Sequence, residues 1–166
     1  GDILMQNIVD VDIRDDYYSL EEKMSDLGSK AIRDTLLNFN KLYENRIKQD
    51  DGAATYTSKI TKEMGKIDWE KSSFEIYNQI RALVAFPKAY FSYEGDKVKV
   101  LEAEVLDNYK ANPGYIYEAD NKNNIIIGTG DGAIRINKLQ FPGKKVMDTK
   151  SFLMGNDFKK GIKLND

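Results

Sequence analysis

Neither histidine nor cysteine occurs among the 166 residues, so imidazole and thiolate chemistry, including zinc sites built from those ligands, is excluded. Any chemistry must rest on carboxylates, lysine, tyrosine or hydroxyls. Gly128-Thr129-Gly130-Asp131-Gly132 has the look of a phosphate loop, since glycine-rich turns aim backbone N–H groups at anions. No Lys-Ser or Lys-Thr follows it, and residues 133–136 have the pattern of a strand, so a hairpin turn is the better reading. Asp10, Asp12, Asp15 and Asp16 gather oxygens suited to a hard cation, but the glycine and distal glutamate of a calcium loop are missing, which leaves a solvated acidic loop. Glu102 and Glu104, two apart on a strand, share one face as carboxylates on the wet side of a sheet do. We assign no catalytic residue and no metal ligand.

The basic side chains are more informative. Lys59, Lys62 and Lys66 recur along one polar stretch, Arg81 and Lys88 flank a predicted helix, and Lys144 with Lys145 follows the last predicted strand. Tyr90, Tyr93, Tyr115 and Tyr117 fall on strands. Cations beside aromatic faces are what a barrel that holds an oligonucleotide needs, with Tyr90 and Tyr93 as the stacking candidates. On residue types alone, solvated lysines and core tyrosines remain a slightly better reading. The net charge of −2 conceals an asymmetry: residues 1–50 carry seven basic and eleven acidic side chains, and residues 121–166 carry nine and four. A polyanion would therefore meet the back of the chain.

The elements that must position these residues follow from periodicity. Residues 3–13 are apolar-rich and predict a strand over 3–9 running into a loop. Ser19 and Glu22 have the spacing of a capping box, and Leu20, Met24, Leu27, Ala31, Leu36, Phe39 and Leu42 mark the apolar stripe of a helix over 20–43. Residues 46–67 are polar and read as a linker. Ser72 and Glu75 form a second box, opening a helix whose expected inner face is Phe74, Tyr77, Ile80 and Val84, closed by Pro87 with Trp69 packed beneath. After Pro87 the period becomes two, giving strands over 90–93, 98–106, 115–118, 125–127 and 134–139, then a short helix over 148–154 and a basic tail. The longest apolar run, residues 82–86, is far below the roughly 20 needed to span a bilayer, and residues 1–9 lack the basic start of a signal peptide.

Six strings, in order, resemble the C-terminal domain of methionyl-tRNA formyltransferases: Thr55-Tyr56-Thr57-Ser58-Lys59-Ile60, Gly65-Lys66-Ile67-Asp68-Trp69, Gln79-Ile80-Arg81-Ala82, Glu102-Ala103-Glu104-Val105, Gly128 to Gly132, and Leu139-Gln140-Phe141-Pro142-Gly143-Lys144-Lys145. Residues 1–4 resemble the segment after that family's catalytic Asp, and residues 19–42 resemble the last helix of its catalytic domain. One departure is Leu83-Val84-Ala85-Phe86-Pro87, where the family usually carries a Trp between two prolines.

The resemblance implies an α+β chain: residues 1–45 as the strand–helix remnant of a Rossmann-like catalytic domain, 46–67 as linker, and 68–166 as a small OB-like β-barrel that faces tRNA. It implies a cytoplasmic parent enzyme of translation initiation that transfers formyl from 10-formyltetrahydrofolate to methionyl-initiator-tRNA. The family's catalytic Asn, His and Asp would all precede Gly1, so this segment is expected to bind no cofactor and to be inactive alone. Phosphate contacts are expected from Lys59, Lys62, Lys66, Arg81, Lys88, Lys144 and Lys145. A spacer or interaction domain of a related sugar or small-molecule formyltransferase, with solvated lysines, is the rival expectation. The uncovered stripe of the first helix predicts a homodimer through residues 1–45.

Overall fold

The computed structural model describes residues 1–164. The chain divides into two compact units, Gly1–Lys59 and Ile60 onward, so the second part of the expected linker belongs to the second unit.

In the first unit, helix α1 spans Tyr17–Leu37 and α2 spans Phe39–Glu44. The expected capping box is displaced by three residues. Asp16 is the N-cap: its carboxylate accepts the Ser19 N–H at 3.0 Å, and the Ser19 hydroxyl accepts the Asp16 N–H at 3.0 Å. Aspartate caps as well as serine does, so Tyr17 and Tyr18 are drawn into the first turn. The expected strand over 3–9 is absent; Ile3 makes only an isolated bridge to Ile47. No residue of α1 is buried: Leu20 and Leu27 are half-covered, whereas Met24 and Leu36, with Phe39 of α2, are exposed.

The second unit is an antiparallel sheet with helices. Helix α3 covers Ser73–Ala82, and the strands are β1 Ala89–Tyr93, β2 Asp96–Leu106, β3 Ile116–Asp120, β4 Asn124–Gly128, β5 Ala133–Gln140 and β6 Met147–Asp148, followed by α4 Thr149–Leu153. The strand order is β1-β2-β5-β4-β3, with the short β6 on β5. Register shifts between Val100 and Ala103 mark a bulge that lets β2 pair with β1 through one half and β5 through the other. The path is an open sheet, as in partly open barrels. Its gap is filled by the tail. Gly161 N donates to Ile116 O on the free edge of β3 at 2.8 Å and Leu164 N to Gly114 O just before that strand at 2.9 Å, while Phe158 stacks on Tyr93 of β1 at 3.8 Å. Lys159 pairs with Glu94 beyond β1, and Lys160 with Glu118 of β3.

The Ser72–Glu75 capping box opens α3 as its spacing predicts. The helix is rotated from the expected face, however: Ser73, Ile76 and Ile80 are inward and Phe74 is 48% exposed. The cause is a clasp from the β4–β5 turn. Asp131 Oδ1 accepts the Ser73 N–H at 2.7 Å and the Ser73 hydroxyl at 3.0 Å, the Thr129 and Ser73 hydroxyls lie 2.7 Å apart, and Gly130 N donates to Lys71 O at 2.8 Å. These bonds turn Ser73 inward, and Ile76 and Ile80 follow at helical spacing. Trp69 joins the same core, edge-on to Phe91. The glycine-rich string is thus a hairpin turn that caps a helix. A Cβ on Gly130 would lie 2.2 Å from Glu70 O, so the close approach demands glycine.

Gly130→Ala is expected to cost about 1–3 kcal/mol in urea unfolding, because backbone must move to admit the methyl group. The Asp131 carboxyl is held below its usual value, chiefly by the Ser73 N–H. Its contribution is therefore present above the unfolded aspartate value and lost as pH falls through the lowered folded one. Asp131→Asn should remove that part of the acid-induced loss, read from unfolding midpoints at neutral and acid pH.

Candidate nucleic-acid interface

The outward face of the sheet follows from strand parity. Along β1, Ala89, Phe91 and Tyr93 are buried, leaving Tyr90 and Ser92 outward; along β2, Val98 and Val100 are buried, leaving Lys97 and Lys99 outward. Cross-strand partners share a face. Lys66 bridges Tyr90 in parallel register, Tyr90 lies opposite Lys99, and Lys99 lies opposite Gln140. With neighbouring strands ~4.8 Å apart, these four residues form a row ~14 Å long across one end of the sheet.

Each end of the row is fastened. At one end Gly65 tucks against the Pro87–Tyr90 segment, where an added Cβ would stand 2.4 Å from Lys88 O. Gln79 of α3 donates from Nε2 to Met64 O at 2.8 Å and Lys66 O at 2.9 Å, and Ile67 N donates to Tyr90 O at 2.8 Å. At the other end Gln140 Nε2 donates to Lys144 O at 2.9 Å, so the Lys144–Lys145 turn begins where the row stops.

The structure places the expected residues unequally. Lys66 is in the row, and Lys62 precedes it at the start of the 3-10 turn Glu63–Gly65. Lys88 is half-buried, in a left-handed conformation at φ 72°, with its N–H on Leu83 O. Arg81 lies in the last turn of α3, its Nε on Asn78 Oδ1 at 2.8 Å. Lys144 and Lys145 are exposed and make no ion pair among the described residues. Lys59 ends the first unit, and the row is built without it. Tyr90 keeps its outward position, and Lys97 Nζ sits 3.6 Å from its ring centroid, a cation–π contact.

Tyr93 is a correction to the expected stacking pair. It is 6% exposed, its ring is covered by Phe158, and its hydroxyl accepts the Lys159 N–H at 2.8 Å, so it belongs to the core. Strand parity already forbids Tyr90 and Tyr93 from sharing a face. Lys97 and Lys99 are the cations that sequence reading missed, and the same alternation held the signal. Glu63 is the acid beside the row. Its carboxyl is held low first by the Thr61 hydroxyl and its own N–H, with Lys62 and Lys97 adding to the effect.

Other charged groups are occupied elsewhere. Glu102 pairs with Lys138, and Glu104 with Arg135 at 2.7 Å. In the first unit Asp15 accepts from Lys23 Nζ at 2.6 Å, from Asp12 N at 2.7 Å and from the Ser19 hydroxyl at 2.9 Å, which together hold its carboxyl down to about 2. That loop organises the start of α1. Among the described residues no group of three or more acidic side chains is arranged to hold a metal ion.

Comparison with known proteins places the chain in a family. The profile described as "Formyl transferase, C-terminal domain" matches residues 59–157. The chain belongs to the formyl transferase C-terminal domain family. Among similar curated proteins, the methionyl-tRNA formyltransferase of Sulfurihydrogenibium sp. (strain YO3AOP1) is 37% identical over 97% of this chain, and that of Caldicellulosiruptor saccharolyticus is 35% identical over 97%. The chain spans about half the length of these relatives, 52% of each. Among solved structures, the N-formyltransferase from Helicobacter canadensis, in complex with folinic acid and dTDP-3-aminofucose, superposes with a TM-score of 0.59 at 24% identity over 82% of this chain and 49% of that one. HypX from Aquifex aeolicus in complex with tetrahydrofolic acid gives 0.54 at 21% identity over 75% of this chain and 22% of that one. Those likenesses show that the chain shares its fold with parts of those two structures.

The two tyrosines should separate stability from binding. Tyr93→Phe is expected to lose about 0.5–1.5 kcal/mol in urea unfolding, since the Lys159 N–H loses its acceptor, while leaving RNA affinity unchanged. Tyr90→Leu should weaken RNA binding in a filter assay and leave the unfolding midpoint nearly in place.

Proposed function

We propose that this chain is the tRNA-holding part of a methionyl-tRNA formyltransferase, a cytoplasmic enzyme that transfers formyl from 10-formyltetrahydrofolate to the amino group of methionyl-initiator-tRNA in translation initiation. The carrying observation is the Lys66–Tyr90–Lys99–Gln140 row with Lys97 over the tyrosine ring and Lys144 fastened to its end. Cations whose backbone spacing is set by register offer phosphates a fixed row of attachment points, and they position an RNA rather than read its sequence. Lys62, Arg81, Lys88 and Lys145 are further candidate phosphate contacts of the same unit, and Lys59 is a candidate of the first unit taken by itself. The names of the curated relatives supply the substrate. No step of the formyl transfer is assigned to the residues described, and the donor is a substrate of the whole enzyme. No helix of the described residues is long and apolar enough to cross a membrane.

The rival reading, a spacer in a sugar formyltransferase, draws on the fold shared with the Helicobacter canadensis protein. Salt dependence separates the two. Replacing Lys62, Lys66 and Lys99 together with Ala should flatten the slope of log affinity for initiator tRNA against log salt by roughly 2 to 3, at about 0.9 for each phosphate no longer neutralised. An unchanged slope, or no tRNA binding by the parent chain, would favour the spacer.

The first unit supports self-association through residues 1–45. Its α1 helix buries none of its residues, and Ile32, Leu36 and Leu37 are 65%, 71% and 72% exposed. Covering each large apolar side chain is worth about 1.5–3 kcal/mol, and a second copy presents the same stripe about a two-fold axis. Light scattering across a concentration series should record a dimer that Leu36→Glu dissociates. A monomer at every concentration would remove the proposal.

A further inference from the structure

Beyond β5 the chain wraps a small recess of about 200 Å³ walled by Leu139, Phe141, Met147 and Phe152, with Lys144 and Lys145 also lining it. Phe152 is 8% exposed and stacks on Phe141 with ring centroids 4.9 Å apart, and Phe141 itself is only half-buried. The recess is pre-formed. Lys144 N donates to Phe141 O at 3.1 Å, Gln140 Nε2 holds Lys144 O, and the Asp148 carboxylate caps α4 by accepting from Lys150 N at 3.0 Å. Asn156 Nδ2 closes the far wall on Phe152 O at 2.9 Å.

Its dimensions select the ligand. Sites for drug-sized molecules run to about 300–1,000 Å³, so this one is of a size for a single flat ring system, and it shares Phe141, Lys144, Phe152 and Asn156 with an adjoining hollow of about 490 Å³ that Glu94, Asp96 and Asp157 also line. Apolar and aromatic walls suit such a ring, and two lysine ammonium groups without ion pairs among the described residues suit an anion attached to it. A nucleotide combines both. The recess adjoins the end of the cationic row at Lys144, whose carbonyl is held by Gln140, the row's last member, while its Leu139 wall lies on the other face of β5 from Gln140.

We infer that the recess takes one unpaired nucleotide of an RNA strand, its base against Phe141 and Met147 and its phosphate on Lys144 and Lys145. The inference rests on the RNA-holding reading of the sheet, and it adds a subsite where a base leaves its helix to stack on protein, as unpaired bases do. The phosphate row tolerates any backbone, whereas the recess distinguishes unpaired from paired strands.

The test titrates the 166-residue chain with adenosine monophosphate, inorganic phosphate, an unpaired tetranucleotide and a blunt RNA duplex, following the methyl signals of Leu139 and Met147 by NMR. Adenosine monophosphate and the tetranucleotide should shift both signals, the tetranucleotide at lower concentration, while phosphate and duplex leave them in place. Phe141→Leu should weaken the tetranucleotide about ten-fold with its salt slope intact, and Lys144→Ala with Lys145→Ala should flatten that slope. The inference is overturned if adenosine monophosphate moves neither methyl, if inorganic phosphate moves them equally, if mononucleotide and tetranucleotide bind equally well, or if Phe141→Leu binds as the parent does. Failure of the row itself is read separately, from the tRNA salt slope of the Lys62, Lys66 and Lys99 variant.

Discussion

A single carboxylate governs the second unit. Asp131 sits on the turn between β4 and β5 and accepts both the backbone N–H and the hydroxyl of Ser73 at the start of α3. A negative charge at a helix N-terminus is favoured by the unsatisfied N–H groups there and by the dipole they sum to. Fixing that end fixes the rotation of the helix, which sends Ile76 and Ile80 into the core. Two turns later the same helix presents Gln79, whose amide holds the carbonyls of Met64 and Lys66. The position of a surface lysine is therefore set through a rigid helix by an aspartate at its other end.

The cationic row differs from a scatter of surface lysines because backbone pairing sets its spacing. A lysine on a loop samples many positions and loses side-chain entropy when it meets a phosphate. Here Lys66 and Lys99 are anchored by strand register, and Lys97 is drawn over Tyr90. The remaining basic residues of the back half are largely engaged within the fold: Arg135, Lys138, Lys159 and Lys160 each face a glutamate. The charge asymmetry of the sequence thus overstates the positive charge of residues 121–166 that lies outside ion pairs.

Much of this is legible from local pattern. The Ser72–Glu75 box, the five main strands and the hairpin character of the glycine-rich string all follow from short-range rules that tertiary contacts reinforce. Elements that depart from the pattern do so for identifiable reasons. The start of α1 moves because Asp16 and Ser19 satisfy each other more directly than Ser19 and Glu22 would. The inner face of α3 is misleading in sequence because Phe74 is more apolar than Ser73, and only the distant Asp131 explains why serine goes inward. Apolar residues 3–9 suggest a strand, but Ile3 finds a partner only in Ile47. Of the candidate site, the individual lysines are visible in the sequence, whereas their alignment depends on register across four chain segments, from Lys66 through β1 and β2 to β5.

The tail that fills the sheet's gap also sets the order in which the fold can be completed. Phe158 and residues 161–164 join β1 and β3, segments made tens of residues earlier. During synthesis at roughly 5–20 residues per second, the strands emerge and pair while the free edge of β3 and the ring of Tyr93 are still uncovered. Such an edge is a template for a wrong partner strand. Until Phe158 and residues 161–164 dock, that edge lacks its partner, and Lys159 and Lys160, which face glutamates on opposite sides of the gap, add an ion pair to each side when they do.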